Sequence, residues 1–252
     1  MAGLLAIDVG NTQTVLGLFE GEELREHWRV ATESERTGDE LGLLLRGLVD
    51  LSGLEGIAMS STVPPLARAY EELAAREGLE LLVLGPGVST GIAVRYEDPR
   101  EVGPDRIANA VAALERYGAP CIVVDFGTST NFDVVSPDGE YVGGVLAPGV
   151  EVSMEALSAR AARLFSIDFA EPPTVIAKNT TAALQSGLVY GFAGQVDGIV
   201  EAIRGELGVE AQTVATGGLT ELIVPNARTL ETIDPFLTLE GVRLVWQRNR
   251  AG

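Results

Sequence analysis

The chain has 252 residues, 46% of them hydrophobic and 21% charged, with a formal net charge of −18. That length suits one large domain or two small ones, with enough chain to bury a core in either case. The acid excess, with no Lys/Arg cluster and Lys only at Lys178, excludes a nucleic-acid face, which needs a basic footprint.

A single cysteine, Cys121, rules out a disulfide scaffold and reads as a core filler in a strand. No leader pattern and no apolar run of ~18 residues is found, so a cytoplasmic protein without a membrane partner is expected. An anion-binding protein this acidic must build phosphate sites from backbone N–H groups, hydroxyls and metal ions.

In chain order, residues 4–9, 14–19 and 23–30 read as three strands of a meander. Residues 22–30 alternate polar and apolar, as a half-exposed strand should. The lone histidine, His27, falls outside any motif and is expected at the surface. Trp28 and Trp246 read as packing residues. Thr37-Gly38-Asp39-Glu40 opens a helix to about Leu51, with Leu41, Leu44, Leu45 and Leu48 on one face. A strand over 57–61 leads through Val63-Pro64-Pro65 into a helix over 66–78, and 79–84 is the next strand. Pro104-Asp105-Arg106 starts a helix to Tyr117.

Gly118-Ala119-Pro120 marks the expected boundary, giving domains 1–118 and 119–252. Strands then fall near 121–126, 131–136 and 140–146. Past Pro148-Gly149 comes a helix holding Met154, Leu157, Ala161 and Leu164, then an irregular stretch over 165–177. A long helix rich in small residues runs from Asn179 to about Leu207, with Thr180 a candidate for its N-cap. Thr213 to Leu219 is strand, Gly-Gly turn and helix start, and 237–248 is a terminal helix.

Two stretches repeat. Leu5-Ala6-Ile7-Asp8-Val9-Gly10-Asn11-Thr12-Gln13-Thr14-Val15 and Val123-Val124-Asp125-Phe126-Gly127-Thr128-Ser129-Thr130-Asn131-Phe132-Asp133 are both apolar runs closed by Asp-x-Gly and a hydroxyl-rich turn. Asp8 superposes on Asp125, and Gly10 on Gly127, without a gap. Such turns let a phosphate approach backbone N–H groups and hydroxyls. Two of them, each opening half the chain, indicate two like halves.

Halves of this plan, with a late Thr216-Gly217-Gly218, resemble the actin-like (ribonuclease H-like) kinase superfamily. The fold implied is α/β, with two domains of mixed sheets flanked by helices and a nucleotide cleft between them. Six motifs, in order, resemble type III pantothenate kinases. They are Asp8 to Thr12, Gly103-Pro104-Asp105-Arg106, Asp125 to Thr130, Gly143 to Gly149, Lys178 to Thr181, and Thr216-Gly217-Gly218.

The resemblance implies ATP-dependent phosphorylation of pantothenate, the first step of coenzyme A biosynthesis. It places Asp8, Val9, Gly10, Asn11, Thr12, Gln13, Thr14 and Val15 under the β/γ-phosphates, with Thr128, Ser129 and Thr130 as further ATP contacts. Thr216, Gly217 and Gly218 would wall the adenosine. Tyr96, Gly103, Pro104, Asp105, Arg106 and Thr180 would hold pantothenate, with Asp105 as general base and Arg106 as a fork for its carboxylate. Asp125 would bind a monovalent cation, K+ or NH4+, magnesium would enter with ATP, and a homodimer is implied.

The chain departs from the family at Asn131, where a second Thr is usual, and at Leu164-Phe165, where Leu-Pro is. The alternatives are a non-catalytic nucleotide-binding regulator of the same fold, and a phosphatase or sugar kinase of the superfamily. The helix end and Arg106 are expected to keep Asp105 ionised near neutral pH.

Overall fold

The chain was analysed as a computed structural model, which describes residues 3–160 and 167–250. Each expected strand forms. β1 (Gly3–Val9), β2 (Gln13–Glu20) and β3 (Glu23–Ala31) make an antiparallel meander, and β4 (Leu54–Ser61) and β5 (Leu81–Val83) add to β1 in parallel. The sheet order is β3-β2-β1-β4-β5. The second sheet repeats it with β6 (Cys121–Phe126), β7 (Ser129–Val135), β8 (Tyr141–Pro148), β9 (Gln212–Gly217) and β10 (Thr232–Ile233), in the order β10-β9-β6-β7-β8. The two-residue β10 carries too little pattern to be read from sequence.

In chain order the helices are α1 (Gly38–Arg46), α2 (Pro64–Glu77), α3 (Pro104–Tyr117), α4 (Val150–Arg160), α5 (Thr180–Leu207), α6 (Thr220–Ile223) and α7 (Leu237–Arg250). α1 starts in a capping box: Thr37 Oγ1 accepts from the Glu40 N–H, and Glu40 Oε2 accepts from the Thr37 N–H at 2.8 Å. It stops short of Leu51, ending at Arg46 with Gly47 as its C-cap, and Asp50 Oδ1, accepting from the Ser52 N–H at 3.0 Å, starts a separate short turn. α5 is capped by Asn179, whose Oδ1 accepts from the Ala182 N–H at 2.8 Å; Thr180 is the first helical residue, not the cap. Ala161, Leu164 and Phe165 lie outside the described residues.

The structure divides into two units, residues 1–112 with 237–252, and residues 113–236. The terminal helix goes with the first unit. In that unit α7 packs on β1, β2 and β4, and buried Trp246 fills the space left by Gly56. The other face of the sheet buries Leu5, Ile7, Val9 and Met59 against Leu41 and Leu45 of α1 and Leu66, Tyr70 and Leu73 of α2. Each such side chain contributes about 1.5–3 kcal/mol of burial. In the second unit Ile122, Val124, Phe126, Phe132 and Ala215 pack against Ala193, Val196 and Val200 of α5. Cys121 is fully buried, and burial pushes its thiol up to about 12. His27 is exposed.

Candidate active site

The first turn follows from the two-residue period of β1. Leu5, Ile7 and Val9 face the α1/α2 core, so Asp8 takes the opposite face at the carboxyl end of the central strand. Val9 pairs with Thr14, and the four residues between them close with the Gly10 N–H donating to Gln13 O at 3.1 Å. Asn11, Thr12 and Gln13 are exposed, and Gln13 Oε1 accepts from Arg29 Nη1 at 2.7 Å. Thr14 is buried, and its Oγ1 shares a hydrogen bond with Thr32 Oγ1 at 2.8 Å. Val15 stands opposite Asp8.

The second turn is one residue tighter. Phe126 pairs with Thr130, three residues lie between them, and the Gly127 N–H donates to Ser129 O at 3.0 Å. The two halves thus superpose without a gap only through the glycine. Beyond it Thr130 matches Thr14, and Asn131, opposite Asp125, matches Val15. Thr130 alternates with Phe132 and Val134 on one face of β7 and is fully buried, so its hydroxyl lies on the core side, away from Asp125. Thr128 is exposed. Ser129 Oγ donates to Asn131 Oδ1 at 2.6 Å, which leaves the Asn131 amide hydrogens for the ligand face.

On the other side of Asp125 runs β9, with Asp125 beside Thr216 and Phe126 beside Gly217. Gly217 has φ +97, and a Cβ there would meet Phe126 O at 2.5 Å and Asp125 Oδ1 at 2.7 Å. Glycine is required at this position by both conformation and space. Gly218 is exposed just beyond. Sequence reading left Gly149 without a role. Its missing Cβ clears the backbone of the second turn, Thr128 O and, at 2.8 Å, Gly127 O.

α3 supplies the acid. Gly103 O accepts from the Ile107 N–H at 3.2 Å, so Gly103 sits at the cap and Pro104 opens the helix without wasting a donor. The Asp105 carboxylate accepts from the N–H groups of Arg106 and of Asp105 itself, yet its Oδ1 is buried with no hydrogen-bond partner. A Cβ on Gly103 would collide with that oxygen.

Burial raises the Asp105 pKa above its ordinary value, against the opposing pull of those N–H groups and of the Arg106 charge. The expected pull of the helix end and Arg106 toward the ionised form is present, and desolvation is the larger effect. A carboxylate with a raised pKa and an unpartnered oxygen is suited to accept a proton. Arg106 is buried. Tyr96 is half-buried in the loop before α3. Tyr96 and the start of α3 belong to the first unit, and Thr180, exposed at the start of α5, to the second.

The duplication exposes a segment that motif reading passed over. Ser60 lies beside Asp8 as Thr216 lies beside Asp125, so Ser60-Ser61-Thr62 is the counterpart of Thr216-Gly217-Gly218. The signal was present in the shared βββαβ order, but only the ladder supplies the register.

Two like sheets in this strand order, with turns at the carboxyl ends of their central strands, define an actin-like type of fold. The likeness to solved structures is of that kind. A Baf family transcriptional activator from Campylobacter jejuni matches with a TM-score of 0.64 at 17% identity, over 98% of this chain and 100% of that one. An inorganic polyphosphate/ATP-glucomannokinase from an Arthrobacter strain matches with a TM-score of 0.52 at 15% identity, over 98% and 100%. These show the shared two-domain actin-like fold alone.

The type III pantothenate kinase family model matches residues 4–202. A type III pantothenate kinase from Moorella thermoacetica is 51% identical over 98% of this chain and 99% of its own length. The chain belongs to the type III pantothenate kinase family.

Proposed function

We infer that the protein phosphorylates pantothenate with ATP, giving 4′-phosphopantothenate at the entry to coenzyme A biosynthesis. The observation that carries this is Asp105, a buried carboxylate with one unpartnered oxygen and a raised pKa at the start of α3, in a chain matched over nearly its full length by the family. Phosphoryl transfer is governed by positioning and charge neutralisation. Asp105 accepts the proton of the attacking primary hydroxyl through Oδ1, and Arg106 offers a fork to the pantothenate carboxylate. Gly103 and Pro104 shape that pocket, with Tyr96 at its rim and Thr180 as a further contact.

The turn from Asp8 to Val15 holds the β/γ-phosphates through its exposed members. Thr128 and Ser129 serve the second turn, and Thr216-Gly217-Gly218 lies against the adenosine. Thr14 and Thr130, whose side chains are buried, belong to the same two turns.

Asp125 suits a monovalent cation. One carboxylate beside the neutral hydroxyl of Thr216 is a hard, singly charged donor set. Among the described residues no group of three or more His, Cys, Asp or Glu is placed to hold a metal. Magnesium with ATP, and K+ or NH4+ at Asp125, supply positive charge that a chain with one Lys largely lacks. The apolar exposure of Val175 and Ile176 beside α5 supports a homodimer built on that helix.

No helix of the described residues is long and apolar enough to cross a membrane, in keeping with a cytoplasmic enzyme. The test is phosphate transfer from ATP to pantothenate in K+, NH4+ and Na+ buffers. Turnover in the first two and little in the third is expected. No transfer in any of them overturns the reading in favour of a regulator, and equal rates in all three overturn the cation site alone.

A further inference from the structure

Three hydroxyl residues close β4, and only two of them are tied down. Ser61 Oγ accepts from the Val63 N–H at 3.1 Å. Thr62 Oγ1 donates to Val9 O at 3.2 Å, while its N–H donates to the same oxygen at 3.0 Å. Ser60 is fully buried, and its Oγ has no hydrogen-bond partner. A buried hydroxyl left unbonded lowers stability, and an alanine of nearly the same shape would avoid that cost.

The location of this hydroxyl is informative. Ser60 pairs with Asp8 in the parallel ladder, so both side chains project from the same face at the carboxyl ends of neighbouring strands. The second half places Thr216, also buried, beside Asp125 in the same way. The duplication thus sets a hydroxyl next to the turn carboxylate twice.

We propose that Ser60 is a positioning residue for the first phosphate turn, its hydroxyl donating to the Asp8 carboxylate when nucleotide occupies that turn. This rests on the reading of Asp8 to Val15 as a phosphate turn. A hydroxyl that bonds a carboxylate fixes its rotamer and lone-pair directions, so the carboxylate meets the incoming charge already oriented. The ligand-free enzyme then carries an unsatisfied hydroxyl that binding satisfies.

The experiment compares the full-length wild type with Ser60→Ala, Ser60→Thr, Asp8→Asn and the Ser60→Ala/Asp8→Asn double variant. Melting is followed without ligand, MgATP affinity by calorimetry, and the pantothenate KM by assay. Ser60→Ala should melt about 2–4 °C higher than wild type, since it removes an unsatisfied group. It should bind MgATP about tenfold more weakly, as expected for a lost hydrogen bond to a charged group, with the pantothenate KM unchanged. Ser60→Thr, which copies Thr216, should recover most of that affinity. In the Asp8→Asn background Ser60→Ala should cause no further loss, because its effect passes through Asp8.

Unchanged MgATP affinity in Ser60→Ala, a lower melting temperature, or additive losses in the double variant would each overturn the proposal. If Ser60→Thr does not fold, the Ser60/Asp8 cycle decides alone. Wild type and Asp8→Asn binding MgATP equally well would instead remove the phosphate-turn reading beneath it.

Discussion

The two sheets share one strand order, yet their carboxyl ends are furnished differently. At the first, Asp8 stands between Val15 and Ser60. At the second, Asp125 stands between Asn131 and Thr216. The first turn spans four residues and the second three. Ser61 of one half is Gly217 of the other, with φ +97. The helices that follow the last strands, α3 and α7, are both 14 residues long. The second residue of α3 is Asp105, with an unbonded oxygen. The second residue of α7 is Thr238, whose Oγ1 donates to Asn109 Oδ1 at 2.7 Å. A duplicated frame keeps its strands for packing and differentiates at strand ends and helix starts, where side chains are released from the core.

The sharpest way to break the comparison is to erase Asp105, which the second half does not duplicate. Asp105→Asn should lower turnover by about 10²–10⁴-fold, the usual loss of a general base, with ATP affinity nearly unchanged in calorimetry. Near-normal turnover would make Asp105 only a helix-start charge.

Its titration carries a second expectation. Rate depends on the ionised form, so turnover should fall as pH drops through a pKa above the ordinary 3.8, and Asp105→Asn should lack that acid limb. For stability the sign is opposite. A carboxylate whose pKa is raised by folding stabilises the fold below its ordinary pKa, and that stabilisation is lost as pH rises through the folded value. The neutral variant should therefore melt no lower than wild type at pH 7.

Gly217→Ala comes next. It forces a side chain into a left-handed conformation, at about 1–2 kcal/mol, and against Asp125 Oδ1. Nucleotide affinity and melting temperature should fall together, and a variant that binds ATP normally would detach this strand end from the site. The reciprocal swap, Ser61→Gly, should have the smallest effect. It removes the two hydrogen bonds of Ser61 Oγ with the Val63 backbone and frees the chain, about 1–2 kcal/mol in a denaturant melt, with unchanged turnover. A larger loss of activity there would mean the two strand ends are less differentiated than the ladder indicates.

Much of this was legible in the chain itself. Period-two apolar runs marked the strands, Thr37 and Glu40 marked the start of α1, and Asp-x-Gly marked both turns. Parity along β7 sets Thr130 with Phe132 and Val134 in the inward-facing set, which residue type alone does not show. The extra residue in the first turn escaped because turn length shows only when Val9 meets Thr14 and Phe126 meets Thr130. Helix-end electrostatics could be read beside Asp105, but its burial, which wins, depends on side chains far away in sequence. The same holds for α7: an amphipathic helix does not state which sheet it covers.

That terminal helix has a consequence for the order in which the protein can be made. The second unit, residues 113–236, is a continuous stretch, whereas the first needs α7 laid against β1, β2 and β4. On the ribosome, where units ordinarily fold as they emerge, the half translated first has to wait. Its sheet keeps the apolar surface destined for Leu239 and Trp246 uncovered until α7 has emerged, by which time residues 113–236 have been synthesised.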